Sequence, residues 1–156
     1  MTIEDLLDPA ATLARVSASN RRQALNAVAE AASRVFGVDA AVALQGLLDR
    51  EAAGTTGVGH GVALPHARLD GVDRVRAVFV RQVRLEQPVE FEAIDGKPVD
   101  LMIALFAPPD ATSDHLRALA RVSRLMRQPA LRQHLRDAES ADAVYALLAH
   151  DLRTAA

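Results

Sequence analysis

The residues able to do chemistry concentrate in one stretch, Gly54–Arg68, which reads GTTGVGHGVALPHAR. Glycine at this density costs backbone entropy, and it marks a tight turn or a close approach to a ligand. Free backbone N–H groups in such a loop can form anion-binding nests. The hydroxyls of Thr55 and Thr56 would add donors. His66 closes the apolar run VALPH. Pro65 fixes its own φ and brings no N–H, and it pushes Leu64 toward an extended conformation. The histidine therefore stands at a defined strand end beside the glycine loop. On these residues alone, a nucleophile and a structural histidine both remain open.

Two further residues could serve an anion. His115, in TSDHLRALARVSRLM, falls in the first turn of a helix that Thr112 or Ser113 can cap. A helix N-terminus favours anions and disfavours a charged imidazole, and a neutral imidazole can still donate one N–H. The plain alternative is a side chain that covers the helix end. Arg50 precedes the loop near the end of a helix, and its guanidinium suits phosphate oxygens. Its plain alternative is a surface arginine, one of many: all eighteen basic residues except Lys97 are arginine. His60 reads as a tolerated loop residue, and His134 and His150 read as exposed.

Helices and strands must bring these groups together. Ser19 is expected to cap a helix from about Asn20, with Leu25, Val28, Ala29, Ala32, Val35 and Phe36 inward and Gly37 as its stop. Asp39 opens a second helix that should end before Gly54. Val62–Leu64 and Val75–Leu85 read as strands. VDLMIALFAPP, Val99–Pro109, reads as a strand covered on both faces. Three helices follow. The first has Leu116, Leu119, Ala120, Ser123 and Met126 inward, the second starts at Pro129, and the last runs from about Ser140 to His150. The order helices, strands, helices predicts an α/β sandwich, a central mixed β-sheet flanked by helices on both faces. The length suits a single domain over residues 1–156.

Bulk properties exclude several functions. A formal net charge of −2 gives no basic face for nucleic acid. The absence of cysteine excludes disulfides, thiolate metal sites and cysteine nucleophiles. The opening MTIEDLLDPA lacks a secretory pattern. No apolar run approaches the ~18–20 residues that cross a bilayer, so no membrane insertion is expected. The expected setting is cytoplasmic.

Glu51–Ala67, EAAGTTGVGHGVALPHA, resembles the active-site signature of the EIIA proteins of the bacterial phosphotransferase system, in the fructose/mannitol/nitrogen-regulatory branch (EIIA type 2). Glu51, Val58, Gly59, Val62, Ala63, Leu64, Pro65, His66 and Ala67 fill its fixed places without a gap. Arg50 and His115 fall where the family has an active-site arginine and a second histidine. The likeness covers roughly Ile3 to Leu148, and IEDLLDP resembles the nitrogen-regulatory members. The resemblance implies a phosphocarrier rather than a turnover enzyme on a small molecule. His66 would accept a phosphoryl group, through Nε2, from an HPr-like carrier protein. His115 and Arg50 would stabilise it, and Thr55, Thr56, Gly57 and Gly59 would add hydrogen bonds. No metal and no cofactor is implied. An apolar rim from Val58, Val62 and Leu64 would suit a brief partner contact, and a place in the core is equally open to the same residues. The resemblance favours a regulator acting on target proteins of unknown identity over an EIIA component of sugar uptake. Two other classes compete: a metal-dependent hydrolase using His60, His66 and His115, and a module that only senses an anion.

Overall fold

The computed structural model describes the backbone of residues 3–83 and 89–154, and the side chains of residues 5–83 and 89–150. The elements are α1 (Ile3–Leu6), β1 (Leu7–Val16), α2 (Arg21–Phe36), α3 (Ala40–Ala52), β2 (Gly57–Gly59), β3 (Val62–Ala63), β4 (His66–Arg68), β5 (Arg76–Gln82), β6 (Leu101–Ala107), α4 (Thr112–Met126), α5 (Pro129–Asp137) and α6 (Ala141–Thr154). Strands β1, β5, β6, β3 and β2 lie side by side in that order, and β4 also pairs with β6.

The continuous apolar run is the heart of this sheet. Every residue of β6 is buried. Strand alternation divides its side chains between two cores. Leu101, Ile103, Leu105 and Ala107 join the residues of α4, α5 and α6, whereas Met102, Ala104 and Phe106 join those of α2 and α3. The expected sandwich, with helices on both faces, follows from this division. The sheet is mixed: β6 runs antiparallel to β5 and parallel to β3 and β4.

Two short strands, Gly57–Gly59 and His66–Arg68, form in the segment read as a glycine loop and a strand end, and four other details differ from the sequence expectation. The first is β1, which precedes the helices and pairs in parallel with β5 across two register irregularities. Its sequence, LDPAATLARV, contains Pro9. Proline cannot donate to a ladder, and an edge strand is where it is tolerated. The second is the cap of α2: Asn20, not Ser19, accepts from the Gln23 N–H at 2.8 Å, while the Ser19 N–H donates to the Gln23 side chain at 2.8 Å. The third is the facing of α4. His115, Ala118, Val122, Leu125 and Met126 are buried, while Leu116 is 61% exposed. Both stripes have helical spacing; β6 takes the one whose members complete its core. The fourth is the start of α4. Ala111 caps it without any side-chain bond, and Thr112 and Ser113 are its first two residues. Asp39 does cap α3, accepting from the Val42 N–H at 3.0 Å. Leu85, placed in the Val75–Leu85 strand, lies outside the described residues.

Candidate functional site

The site forms where one strand is interrupted. β3 and β4 both pair with β6, and Leu64 and Pro65 stand between them. The Pro65 carbonyl accepts from the Leu105 N–H at 2.9 Å, so the chain stays against β6. The Leu64 carbonyl lies 2.9 Å from His66 Nδ1. On the other side of the ring, Arg50 Nε donates to His66 Nε2 at 3.2 Å. A guanidinium can only donate, so Nε2 must carry a lone pair. Nδ1 therefore carries the proton and gives it to the Leu64 carbonyl. These two contacts assign a neutral imidazole whose lone pair points at a cation.

Arg50 reaches the ring because α3 packs closely on β4. A Cβ on Gly46 would lie 3.2 Å from the Ala67 Cβ and 3.3 Å from Leu69. Its bare Cα lets the helix settle there. Arg50, one turn later on the same face, then extends to residue 66. Its Nη1 also donates to the Gly54 carbonyl at 2.8 Å.

His115 comes from the opposite layer, in the first turn of α4. Its ring lies edge-on to His66, with centroids 5.4 Å apart. The residue is only 6% exposed. Its Nε2 is, among the described residues, the one buried side-chain nitrogen or oxygen without a hydrogen-bond partner. Burial holds its pKa below the usual histidine value, and a proton on His66 and the charge of Arg68 push in the same direction. His115 is therefore neutral near pH 7, with one polar atom free for a guest.

The sign of that shift gives a first prediction. Protonation of His115 is harder in the folded chain than in the unfolded one, so the unfolded state binds more protons below the ordinary histidine pKa, ~6.5. Stability contributed by the neutral ring is present above that value and is lost as pH falls toward the folded pKa. Urea melts should show a lower midpoint at pH 5.5 than at pH 7.5, and His115→Gln should flatten the difference. A His115 NMR titration at or above the free-histidine value would refute the assignment.

Arg50, His66 and His115 line one open pocket of about 360 Å³, together with Gly46, Ala67, Arg68, Leu116 and Leu119. The loop residues expected to bind phosphate do not line it. Thr55 Oγ1 donates to the Phe91 carbonyl, and Thr56 Oγ1 donates to the Glu51 carboxylate. The Thr56 N–H also donates to Glu51, and the Gly57 N–H donates to Thr55 Oγ1. Gly57 and Gly59 are the ends of β2. The hydroxyls and amides thus fold the loop upon itself, because a buried polar group needs a partner within the protein. The apolar rim also changes. Val62 and Leu64 are core residues, and Val58 remains exposed; Leu116 and Leu119 stand at the pocket instead.

His60 is elsewhere. It and Gly61 have φ of 58° and 79° and form the two-residue turn between β2 and β3. Its N–H donates to Asp95, and its carbonyl accepts from Arg136. It does not join His66 and His115 in the pocket. Among the described residues, no three His, Cys, Asp or Glu side chains gather as metal ligands do. His134 and His150 are exposed on α5 and α6.

Sequence reasoning gave Glu51 a place in a motif but no task. It is 7% exposed. It holds the Thr56 amide and hydroxyl, and it lies 3.8 Å from Arg21. It fastens the turn that follows Arg50. Its signal was an acidic side chain on the inward side of a helix end. Arg68 was passed over as one arginine among many.

A neutral imidazole lone pair, a guanidinium beside it and a second neutral imidazole within an open pocket make a site for holding a small anion on a nitrogen nucleophile. The chain belongs to the family described as "Phosphoenolpyruvate-dependent sugar phosphotransferase system, EIIA 2", whose model matches residues 5–151. Within that family it is 41% identical to the nitrogen regulatory protein of Bradyrhizobium diazoefficiens, across the whole of both chains. It is 35% identical to that of Escherichia coli, across 95% of this chain and 90% of the other. The crystal structure of nitrogen regulatory protein IIA-Ntr from Neisseria meningitidis superposes with a TM-score of 0.85 at 32% identity, covering 94% of this chain and 98% of that one. The mannitol IIA of Escherichia coli, at 20% identity and a TM-score of 0.71, shares the fold. No helix among the described residues is long and apolar enough to cross a membrane.

Proposed function

We propose that this protein is a phosphohistidine carrier of the phosphotransferase system. It takes a phosphoryl group on His66 from an HPr-like carrier protein and acts mainly as a cytoplasmic regulator of other proteins. The observation that carries the reading is the setting of the His66 ring. Nδ1 is held by the Leu64 carbonyl, and Nε2 is presented to Arg50 in an open pocket.

Phosphoryl transfer needs alignment and stabilisation of charge on the equatorial oxygens. The Nε2 lone pair attacks the phosphorus of the donor phosphohistidine. A new N–P bond forms, the donor N–P bond breaks, and its electron pair stays on the donor imidazole. The proton stays on Nδ1, donated in a hydrogen bond to the Leu64 carbonyl, throughout, so His66 needs no general base. Arg50 moves from Nε2 to the phosphoryl oxygens. His115, neutral and with Nε2 unpartnered, donates to another oxygen. Thr55, Thr56, Gly57 and Gly59 serve by shaping the loop behind Arg50. The reverse of the same step passes the group on.

The regulatory role rests on full-length likeness to nitrogen regulatory proteins. A sugar-uptake role is the second reading, favoured by 38% identity to a fructose-specific EIIA component from Haloferax volcanii over 76% of this chain and 73% of that one. The test is incubation with phosphoenolpyruvate, the first phosphotransferase enzyme and an HPr-type carrier, followed by intact mass. One acid-labile phosphoryl group is expected. No gain in the presence of a charged, active carrier refutes the proposal. Onward transfer to a sugar-specific EIIB domain would decide for the second reading.

A further inference from the structure

Arg68 stands two residues beyond His66 on β4. Alternation along a strand sends residues 66 and 68 to one face and residue 67 to the other. Burial follows that rule: Ala67 is covered by α3, His66 is half-buried and Arg68 is exposed. Arg68 lines the same pocket as Arg50, His66 and His115. Its position is thus set by the strand that sets the nucleophile.

The two pocket arginines differ in their commitments. Arg50 already spends Nε on His66 and Nη1 on the Gly54 carbonyl. The Arg68 side chain makes no hydrogen bond or ion pair among the described residues. A free guanidinium beside a nucleophile is what an arriving anion recruits. Demand for it follows from the charges. The oxygens of a histidine-bound phosphoryl group carry two negative charges near neutral pH, and the neutral His115 offers a dipole only. With Arg50 alone, the protein would set one fixed cation against that pair.

We propose that Arg68 is a phosphoryl-binding residue of this site, its guanidinium turning onto the oxygens of phospho-His66 that Arg50 leaves open. The assignment rests on the phosphocarrier reading above and deepens it: the nucleophile and its second cation are delivered together by one three-residue strand. The positive charge of Arg68 is already felt at His115, where it opposes protonation. Burial is the larger cause of the neutral form of His115, and Arg68 adds to it.

An exposed arginine at a pocket mouth could instead touch only the donor protein, and a small donor separates the two roles. Phosphoramidate, protonated on its nitrogen, loses ammonia as the His66 Nε2–P bond forms, with no carrier protein involved. Arg68→Gln should slow this reaction about five- to tenfold, the effect of removing one partly solvated charge near the reacting group. Arg68→Lys should restore most of the rate. The gap between wild type and Arg68→Gln should narrow at high ionic strength. Thermal melts of the three proteins should coincide. Equal phosphoramidate rates for wild type and Arg68→Gln overturn this assignment and leave the carrier reading standing, even if transfer from the HPr-type protein slows. A wild-type chain that accepts a phosphoryl group from neither donor overturns both.

Discussion

His66→Ala is expected to abolish phosphoryl uptake while leaving the fold in place. The argument is one of orientation. Nucleophilic nitrogen chemistry requires a deprotonated, aimed lone pair. At His66 the Leu64 carbonyl fixes the tautomer from one side, and Arg50 marks the lone pair on the other. The remaining histidines lack that setting. His60 sits in the β2–β3 turn, His134 and His150 lie exposed on α5 and α6, and His115 Nε2 has no hydrogen-bond partner to aim it. Truncating a half-buried ring at the pocket edge removes little core contact, so the thermal midpoint should fall by no more than a few degrees. Intact mass after incubation with a charged HPr-type carrier is the check. An alanine variant that still gains an acid-labile phosphoryl group would remove His66 from its role.

Glu51→Ala is expected to cost more stability than any other polar substitution around the site. The carboxylate is buried and accepts from both the amide and the hydroxyl of Thr56. Alanine would leave those donors inside the protein without acceptors, at about 1–3 kcal/mol for each. Arg21, 3.8 Å away, would lose its carboxylate partner. For a chain of this size a loss of about 3 kcal/mol lowers the midpoint by about 10 °C. Glu51→Gln keeps one acceptor oxygen and should lose less than half as much. The turn fastened by Glu51 begins one residue after Arg50, so phosphorylation of the alanine variant should slow even below its melting range. Thermal melts and phosphorylation rates of the two variants test both statements. Equal midpoints for wild type and Glu51→Ala would show that the carboxylate carries no such burden.

The site was legible in proportion to how local its signals are. VALPH announced the break after β3 and its histidine, because proline dictates backbone geometry to its neighbours, but not β4, which His66 begins. Asp39, Gly37 and Pro129 marked helix boundaries by the same local logic. The convergence of Arg50 and His115 on His66 is a long-range fact. It was reachable only through the family resemblance, because no spacing in the chain states that α3 and α4 meet at β4. The glycine loop misled, since free N–H groups in a sequence look alike whether they face a ligand or each other. Here Glu51 takes the N–H of Thr56, and Thr55 takes that of Gly57. The edge strand β1 was missed because Pro9 and Asp8 break the alternation that announces a strand, and its pairing with β5 restores what propensity denies. The facing of α4 failed for a related reason. Two apolar stripes compete on that helix, and the choice belongs to the sheet beneath it.

The pairing of β1 with β5 also bears on how the chain comes to be folded. Leu7 is opposite Ala77, and among the described residues β1 has no other strand neighbour. During synthesis β1 must therefore wait, with Leu7 and Ala11 uncovered, until Arg76–Gln82 follow it. Ordering it closes a long loop, which makes such contacts slow to form. Pro9 and the irregular register give that waiting segment a poor edge for joining other nascent chains. The same features that hid the strand from a sequence reader also guard it against premature partners.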